Sequence, residues 1–220
     1  MKYSIIIPIY NEEKFLPQLI NELKPLSNEN EIIIIDDGST DNSPIILNPF
    51  KEFIIIRNEK RLGKGSSVIK AISLAKEKYI ALFDGDLEIN TDELSLAISQ
   101  HKINTDLIIK GNRFHLYNEN VKSFYDIGNL IFNQFFNFLN GTNYRDIFCC
   151  LTIIDKKLIK SFNLKSKNFA IETEIMSNIA KKNLPLKEHN IRYHRRHSGK
   201  KLNFMHSLEI LLVMINHRLK

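Results

Sequence analysis

The chain has 220 residues, 43% of them hydrophobic and 25% charged, the balance of an ordinary globular protein long enough for one domain with a sizeable core. No apolar run reaches the roughly 18–20 residues that a membrane span needs, the opening run Tyr3–Ile9 lacks the features of a cleavable signal, and the adjacent pair Cys149 and Cys150 suits neither an unstrained disulfide nor a zinc site by itself. Reduced, buried thiols and a cytoplasmic location are therefore expected. The net charge of +6 is uneven: residues 1–110 carry 13 Lys/Arg against 17 Asp/Glu, and residues 111–220 carry 18 against 8. An acidic half suits holding a cation, and a basic half suits meeting anions.

Isoleucine-rich runs of strand length fall at Tyr3–Ile9, Glu31–Ile35, Phe53–Ile56, Tyr79–Phe83 and Asp106–Ile109. Their near-continuous hydrophobicity predicts strands buried on both faces of a parallel sheet. Helical stripes lie between them: Phe15, Leu16, Leu19, Ile20 and Leu23, then Val68, Ile69, Ile72 and Ala75, then a helix opening at Thr91. Alternation of this kind specifies an α/β fold, a mostly parallel sheet flanked by helices. Further on, an aromatic helix is predicted over Ile131–Leu139, a helix over Ile171–Lys182, a strand over Leu186–Tyr193, and an amphipathic C-terminal helix carrying Phe204, Leu208, Leu211, Leu212, Ile215 and Leu219. No internal repeat or long linker interrupts a single domain, and the basic stretch Arg192–Lys201 is the one marked shift in composition.

Ligands of open α/β sheets bind outside the carboxyl ends of the strands, and two acidic clusters fall there. Asp36-Asp37-Gly38-Ser39 follows the second strand, and Asp84-Gly85-Asp86-Leu87-Glu88 follows the fourth. Carboxylates two apart on an extended segment can face the same way, and Gly85 lets a ligand approach the backbone. Oxygen-only ligands favour Mg²⁺ or Mn²⁺, which keep open positions for substrate phosphates. Either cluster alone also reads as a turn and helix cap; both on one sheet edge point to a metal and diphosphate site. The first strand is followed by Pro8-Ile9-Tyr10-Asn11-Glu12 rather than a Gly-x-Gly-x-x-Gly turn, and Gly63-Lys64-Gly65 lacks the spacing of a phosphate-binding P-loop, so dehydrogenase and P-loop readings fit poorly.

Ser4-Ile5-Ile6-Ile7-Pro8-Ile9-Tyr10-Asn11-Glu12, Ile35-Asp36-Asp37-Gly38-Ser39-Thr40-Asp41 and the Asp84-Gly85-Asp86 motif together resemble family 2 glycosyltransferases, which have the GT-A fold. Gly111-Asn112-Arg113, Asp146 to Leu151, Phe169 to Glu174 and the stretch Arg195 to Leu202 are similar to the dolichol-phosphate mannose/glucose synthase-like branch. The chain departs from that branch at Cys150, which stands in place of a glycine, at Leu151-Thr152, and over Val121–Asn133, where Lys122 is the single basic residue.

The resemblance implies an inverting, metal-dependent glycosyltransferase with three segments: a nucleotide-sugar-binding half at 1–113, an acceptor-binding half at 114–202 and a C-terminal helix at 203–220. Pro8, Tyr10 and Glu12 would line the base and ribose pocket, with Asp37 on the nucleoside of a GDP- or UDP-sugar. Tyr10 offers a stacking face, with packing at a strand end as its plain alternative. Lys64, in its glycine-flanked loop, is a candidate diphosphate or nucleoside contact or else a solvated turn lysine. Asp86 and Glu88 are the expected metal ligands, with Asp84 near the ribose or sugar and Gly85 beside the donor. Arg113, past a strand end, is expected to clamp phosphate oxygens; a surface salt bridge is its plain alternative.

The implied acceptor is a polyprenyl phosphate, already ionised and so needing no general base. A glycan or protein hydroxyl would need one, and Glu172 or Glu174 is the candidate, with Glu174 grouped with Asp86 and Arg113 as catalytic. Arg195, Arg196, Lys200 and Lys201 read as an anion clamp over acceptor and diphosphate. The other readings of that stretch are a solvated loop or a nucleic-acid contact, and no nucleic-acid module surrounds it. Peripheral contact with a membrane, at its cytoplasmic face, would go through the Ile131–Leu139 segment and the C-terminal helix, whose stripes core packing or dimerisation would also explain. A non-catalytic nucleotide-sugar or nucleic-acid binding protein is the remaining class, and it leaves the acidic set without a purpose.

Overall fold

Along Tyr3–Ile9 (β1) successive side chains enter opposite cores. Tyr3, Ile5, Ile7 and Ile9 join one buried cluster, and Ile6 joins another. A strand buried on both faces needs a layer on each side, and the computed structural model, which describes residues 1–114, 124–194 and 204–219, supplies both. β1 belongs to a seven-stranded sheet with Glu31–Asp36 (β2), Ile54–Arg57 (β3), Tyr79–Leu82 (β4), Ile108–Asn112 (β5), Thr152–Asp155 (β6) and Leu186–Asn190 (β7), in the order β3-β2-β1-β4-β6-β5-β7. β6 runs antiparallel to both of its neighbours, and the other pairings are parallel. The fold is thus mixed α/β with a mostly parallel sheet.

Leu16–Ser27 (α1), Ser43–Leu47 (α2) and Thr91–Ile103 (α4) cover the first core. Lys64–Leu74 (α3), Phe124–Asn140 (α5), Lys156–Ser161 (α6), Ile171–Lys181 (α7) and Phe204–Leu219 (α8) cover the second. The stripe of α1 is the expected one: Leu16, Leu19, Ile20 and Leu23 are buried, each contributing on the order of 1.5–3 kcal/mol. Cys149 and Cys150 are unbridged and buried.

Several expected bounds move. The aromatic helix runs from Phe124 to Asn140 rather than over Ile131–Leu139. The fifth strand starts at Ile108 because Asn104–Leu107 forms a turn, with the Asn104 side chain accepting from the Asp106 amide at 3.1 Å. β7 stops at Asn190, and Tyr193 makes only an isolated antiparallel bridge to Ile89. β6 and α6 have no counterpart in the sequence reading. The four-residue strand runs straight into its helix through Asp155, whose carboxylate caps the Lys157 and Leu158 amides at 2.8 and 3.1 Å, so no Gly or Pro marks the join.

This topology fixes one functional rim. From β1 the chain winds outward through β2 and β3, then returns to place β4 on the other side of β1, which makes the β1/β4 boundary the switch point where such sheets bind ligands. Since only β6 is reversed, β1, β2, β4, β5 and β7 all end on that rim, and the segment leading into β6 begins there as well.

Candidate active site

At the switch point, Pro8 lies at the end of β1 and Tyr10 and Glu12 follow it, Asp37 follows β2, and Asp84, Gly85 and Asp86 follow β4; all seven line one cleft together with Arg61, Lys64, Asn168 and Phe169. A larger hollow of about 440 Å³ opens beside β3 and shares none of these residues, so the convergence of rings and charges, rather than size, marks the site. Gly85 lies against β1: a Cβ there would stand 2.5 Å from Ile9 Cγ2, so only glycine seats the acidic loop this closely.

Lys64 is no solvated turn residue. Its ammonium lies 2.8 Å from Asp84 and 2.6 Å from Glu172, with its side chain 16% exposed. Burial alone would lower the amine's pKa, but Asp84 and Glu172 hold it well above the ordinary lysine value, so it stays charged. It is aimed by an interlock between two distant loops. Gly63 adopts φ 98°, and a Cβ there would meet Lys167 O at 2.3 Å, while the Ser66 amide donates to Lys167 O at 3.0 Å.

The Asp37 carboxylate, at the edge of the cleft, holds that loop together. It is buried and accepts from the Asn58 side chain, the Leu62 and Gly63 amides and the Ser67 hydroxyl at 2.8–3.0 Å. Asp37, expected as a nucleoside contact, lines the cleft and also supports the loop that carries Arg61 and Lys64. Arg61 in turn lies over the Tyr10 ring at 4.3 Å, giving the cleft a stacked aromatic–guanidinium wall.

Asp86 faces the cleft, but Glu88, expected beside it on the metal, does not line it. Leu87 sits at φ 57°, and this left-handed turn breaks the alternation of an extended segment. The Glu88 carboxylate instead accepts the Tyr193 hydroxyl at 2.7 Å, and its carbonyl accepts the His194 amide at 2.8 Å. Among the described residues no cluster of three or more His, Cys, Asp or Glu could hold a metal ion. A divalent ion bound by one or two carboxylates with the substrate's own phosphates still fits Asp86, because Mg²⁺-type sites are commonly built that way.

Arg113 makes a two-point contact with Asp146, Nε to Oδ2 at 2.7 Å and Nη2 to Oδ1 at 2.9 Å. Asp146 precedes β6, and the reversal of that strand brings it to the rim. Although burial opposes the charge, Asp146 holds the guanidinium pKa well above its ordinary value. The Tyr193 ring lies 5.3 Å from the guanidinium carbon. Glu174, expected as a catalytic group, is turned away from the cleft: its carboxylate accepts from the Lys165 and Ser166 amides at 2.7–3.0 Å. Arg195, Arg196, Lys200 and Lys201, like Lys122, lie outside the described residues. The sequence reading overlooked Arg61, Asn168 and Tyr193 as site residues. Arg61 stands three residues before Lys64 and was the most accessible by proximity, whereas Tyr193 acts through a single bridge with no periodic signature.

The pattern of Glycosyl transferase family 2 matches residues 4–162, and the chain belongs to that family. Protein MJ0544 of Methanocaldococcus jannaschii is 28% identical over 208 residues, covering 86% of this chain and 87% of its own. The undecaprenyl-phosphate 4-deoxy-4-formamido-L-arabinose transferase of Proteus mirabilis is 31% identical over 116 residues, 49% of this chain, which spans 36% of that protein's length. The fold is that of the Mycobacterium tuberculosis glucosyl-3-phosphoglycerate synthase crystallised with Mn²⁺, UDP-glucose and phosphoglyceric acid, with a TM-score of 0.77 at 13% identity over 99% of this chain and 79% of that one. Among the described residues no helix is long and apolar enough to cross a membrane.

Proposed function

We propose that this chain is an inverting glycosyltransferase that moves a sugar from a nucleoside diphosphate sugar to a polyprenyl phosphate. The observation that carries this reading is the engagement of both candidate bases. Glu172 is ion-paired with Lys64, and Glu174 is committed to the 165–166 backbone. A hydroxyl acceptor must lose a proton to a base, whereas a phosphate monoester attacks as it stands and needs only position and charge. The Proteus mirabilis relative, named for an undecaprenyl-phosphate acceptor, supports the same class.

In this reading residues 1–113 hold the donor, a UDP- or GDP-sugar, and residues 114–202 the acceptor. Tyr10 and Arg61 form the nucleoside wall with Pro8 and Glu12. Gly85, seated against β1, brings its loop to the edge of the cleft where the diphosphate would lie, and Asp84, oriented by Lys64, faces the ribose or sugar. Asp86 is the residue that would hold Mg²⁺ or Mn²⁺, which supplies charge neutralisation on the departing diphosphate when bound. Arg113, fixed by Asp146, meets phosphate oxygens. An acceptor phosphate oxygen forms the bond to the anomeric carbon on the face opposite the diphosphate. The anomeric C–O bond breaks, and the nucleoside diphosphate leaves with its electron pair.

The test is mass spectrometry of products after incubation with a panel of UDP- and GDP-sugars, Mg²⁺ or Mn²⁺, and short polyprenyl phosphates. A glycosylated polyprenyl phosphate is expected. Transfer confined to glycan or protein hydroxyls would replace the acceptor in this reading, and donor binding without turnover on any acceptor would end it.

A further inference from the structure

Among the described residues thirteen large apolar side chains are exposed, and seven of them lie on α5 and α8. On α5 they are Ile127, Ile131 and Phe138, the last 83% exposed. Their spacing of four and seven residues keeps them on one stripe. On α8, Met205, Leu208, Leu212 and Leu219 form a second stripe by the same arithmetic. Each helix buries its other side in the same core, Phe136 from α5 and Ile210 and Met214 from α8. The two helices are packed against one another, so both apolar stripes look outward from one side of the molecule.

Charge selects the occupant. Asp126 and Glu209 are the carboxylates of α5 and α8: no charged residue occurs from Ile127 to Asn140, and Glu209 accepts from the Asn168 side chain at 3.1 Å. The half of the chain that carries this face has 18 basic residues against 8 acidic ones. An apolar face with little negative charge, set in a strongly basic half, matches a bilayer surface containing anionic headgroups. The face also adjoins the cleft: His206 on α8 meets the Phe169 ring edge-on at 4.7 Å, and Phe169 lines the cleft.

We infer that the outward stripes of α5 and α8 form a docking surface for an anionic lipid bilayer, bringing the cleft down to a membrane-borne acceptor. This rests on the proposed lipid-linked acceptor for its purpose, but its test does not. The full chain is sedimented with vesicles of equal parts phosphatidylglycerol and phosphatidylcholine, alongside the variants Phe138→Asp, Leu212→Asp and Ile103→Asp. Ile103 is an exposed apolar residue on α4, over the opposite face of the sheet.

Phe138→Asp and Leu212→Asp are each expected to weaken vesicle binding about tenfold or more, the loss of one inserted apolar side chain, and Ile103→Asp to leave it unchanged. Circular dichroism confirms that all three remain folded. With a short acceptor in solution the first two variants turn over as the parent does; with the acceptor in vesicles they slow. The inference is overturned if the parent fails to sediment, if Ile103→Asp is equally harmful, or if ultracentrifugation without lipid shows a dimer that Phe138→Asp dissolves. Vesicle binding with these mutant effects but no transfer to any polyprenyl phosphate would leave the docking surface standing and remove the acceptor assignment alone.

Discussion

Leu87 occupies the left-handed region at φ 57°, a conformation that costs a residue with a Cβ about 1–2 kcal/mol. The strain has a visible result: Asp86 looks into the cleft while Glu88, two positions on, meets Tyr193. The two carboxylates therefore predict different mutant behaviour. Asp86→Asn is expected to lower kcat/KM by at least about 100-fold and to abolish the response to added Mn²⁺, because the residue proposed to hold the ion loses its charge. Glu88→Gln keeps an oxygen for the Tyr193 hydroxyl and should shift the Mn²⁺ dependence by less than about threefold, as expected of an outer support. Titrating Mn²⁺ against initial rate for both variants decides it; equal loss in the two would return Glu88 to the ion. Sequence alone made the pair look equivalent. Spacing two apart implies a shared face only while the backbone stays extended, and nothing in Leu87 itself announces a turn.

Two loops that are remote in sequence, 58–67 and 165–169, act as one element because Gly63 and Ser66 lock onto Lys167 while Asp37 and Glu174 bind their amides from behind. For the Glu174 carboxyl, burial alone would raise the pKa. Hydrogen bonds from the His217 side chain and from the Ser166 and Lys165 amides outweigh it, and the net pKa is lowered. A depressed carboxyl contributes stability that is full above the unfolded value of about 4.3 and is lost as pH falls through the folded one. Glu174→Gln is accordingly expected to lose roughly 1.5–3 kcal/mol at neutral pH, the scale of hydrogen bonds to a charged group, and to show a shallower decline in acid. Urea unfolding of parent and variant from pH 7 downward measures both, and an unchanged acid limb would count against the assignment. The elements themselves were largely readable, since isoleucine runs and the α1 stripe follow directly from burial on two faces of a sheet. The interlock was not, because its cross-loop signals are Gly63, Gly65 and Ser66, whose partners Ser166 and Lys167 lie far along the chain. The antiparallel β6 escaped for a related reason: four residues passing directly into a helix leave neither a period nor a turn to detect.

At the scale of the molecule, the acidic and basic halves read from charge are not separate bodies in the packing. β6 hydrogen-bonds to β4 on one side and β5 on the other, and the second core mixes Ile6, Val68 and Ile80 with Ile154, Ile175 and Met214. Opening the second half alone would expose many such side chains at about 1.5–3 kcal/mol each. That cost soon passes the whole stability of roughly 5–15 kcal/mol available to a domain. One cooperative transition is therefore expected in urea, with loss of helix by circular dichroism coinciding with loss of tyrosine fluorescence signals from both halves. Native-state hydrogen exchange sharpens the measurement, because the β1 and α7 amides should exchange through the same global opening, and a nucleoside diphosphate with Mn²⁺ should slow both together. Exchange of α7 through a separate opening at lower urea, unaffected by the nucleotide, would mean that the acceptor half moves independently of the donor cleft. Lys64 could not then stay fixed between Asp84 on one side and Glu172 on the other.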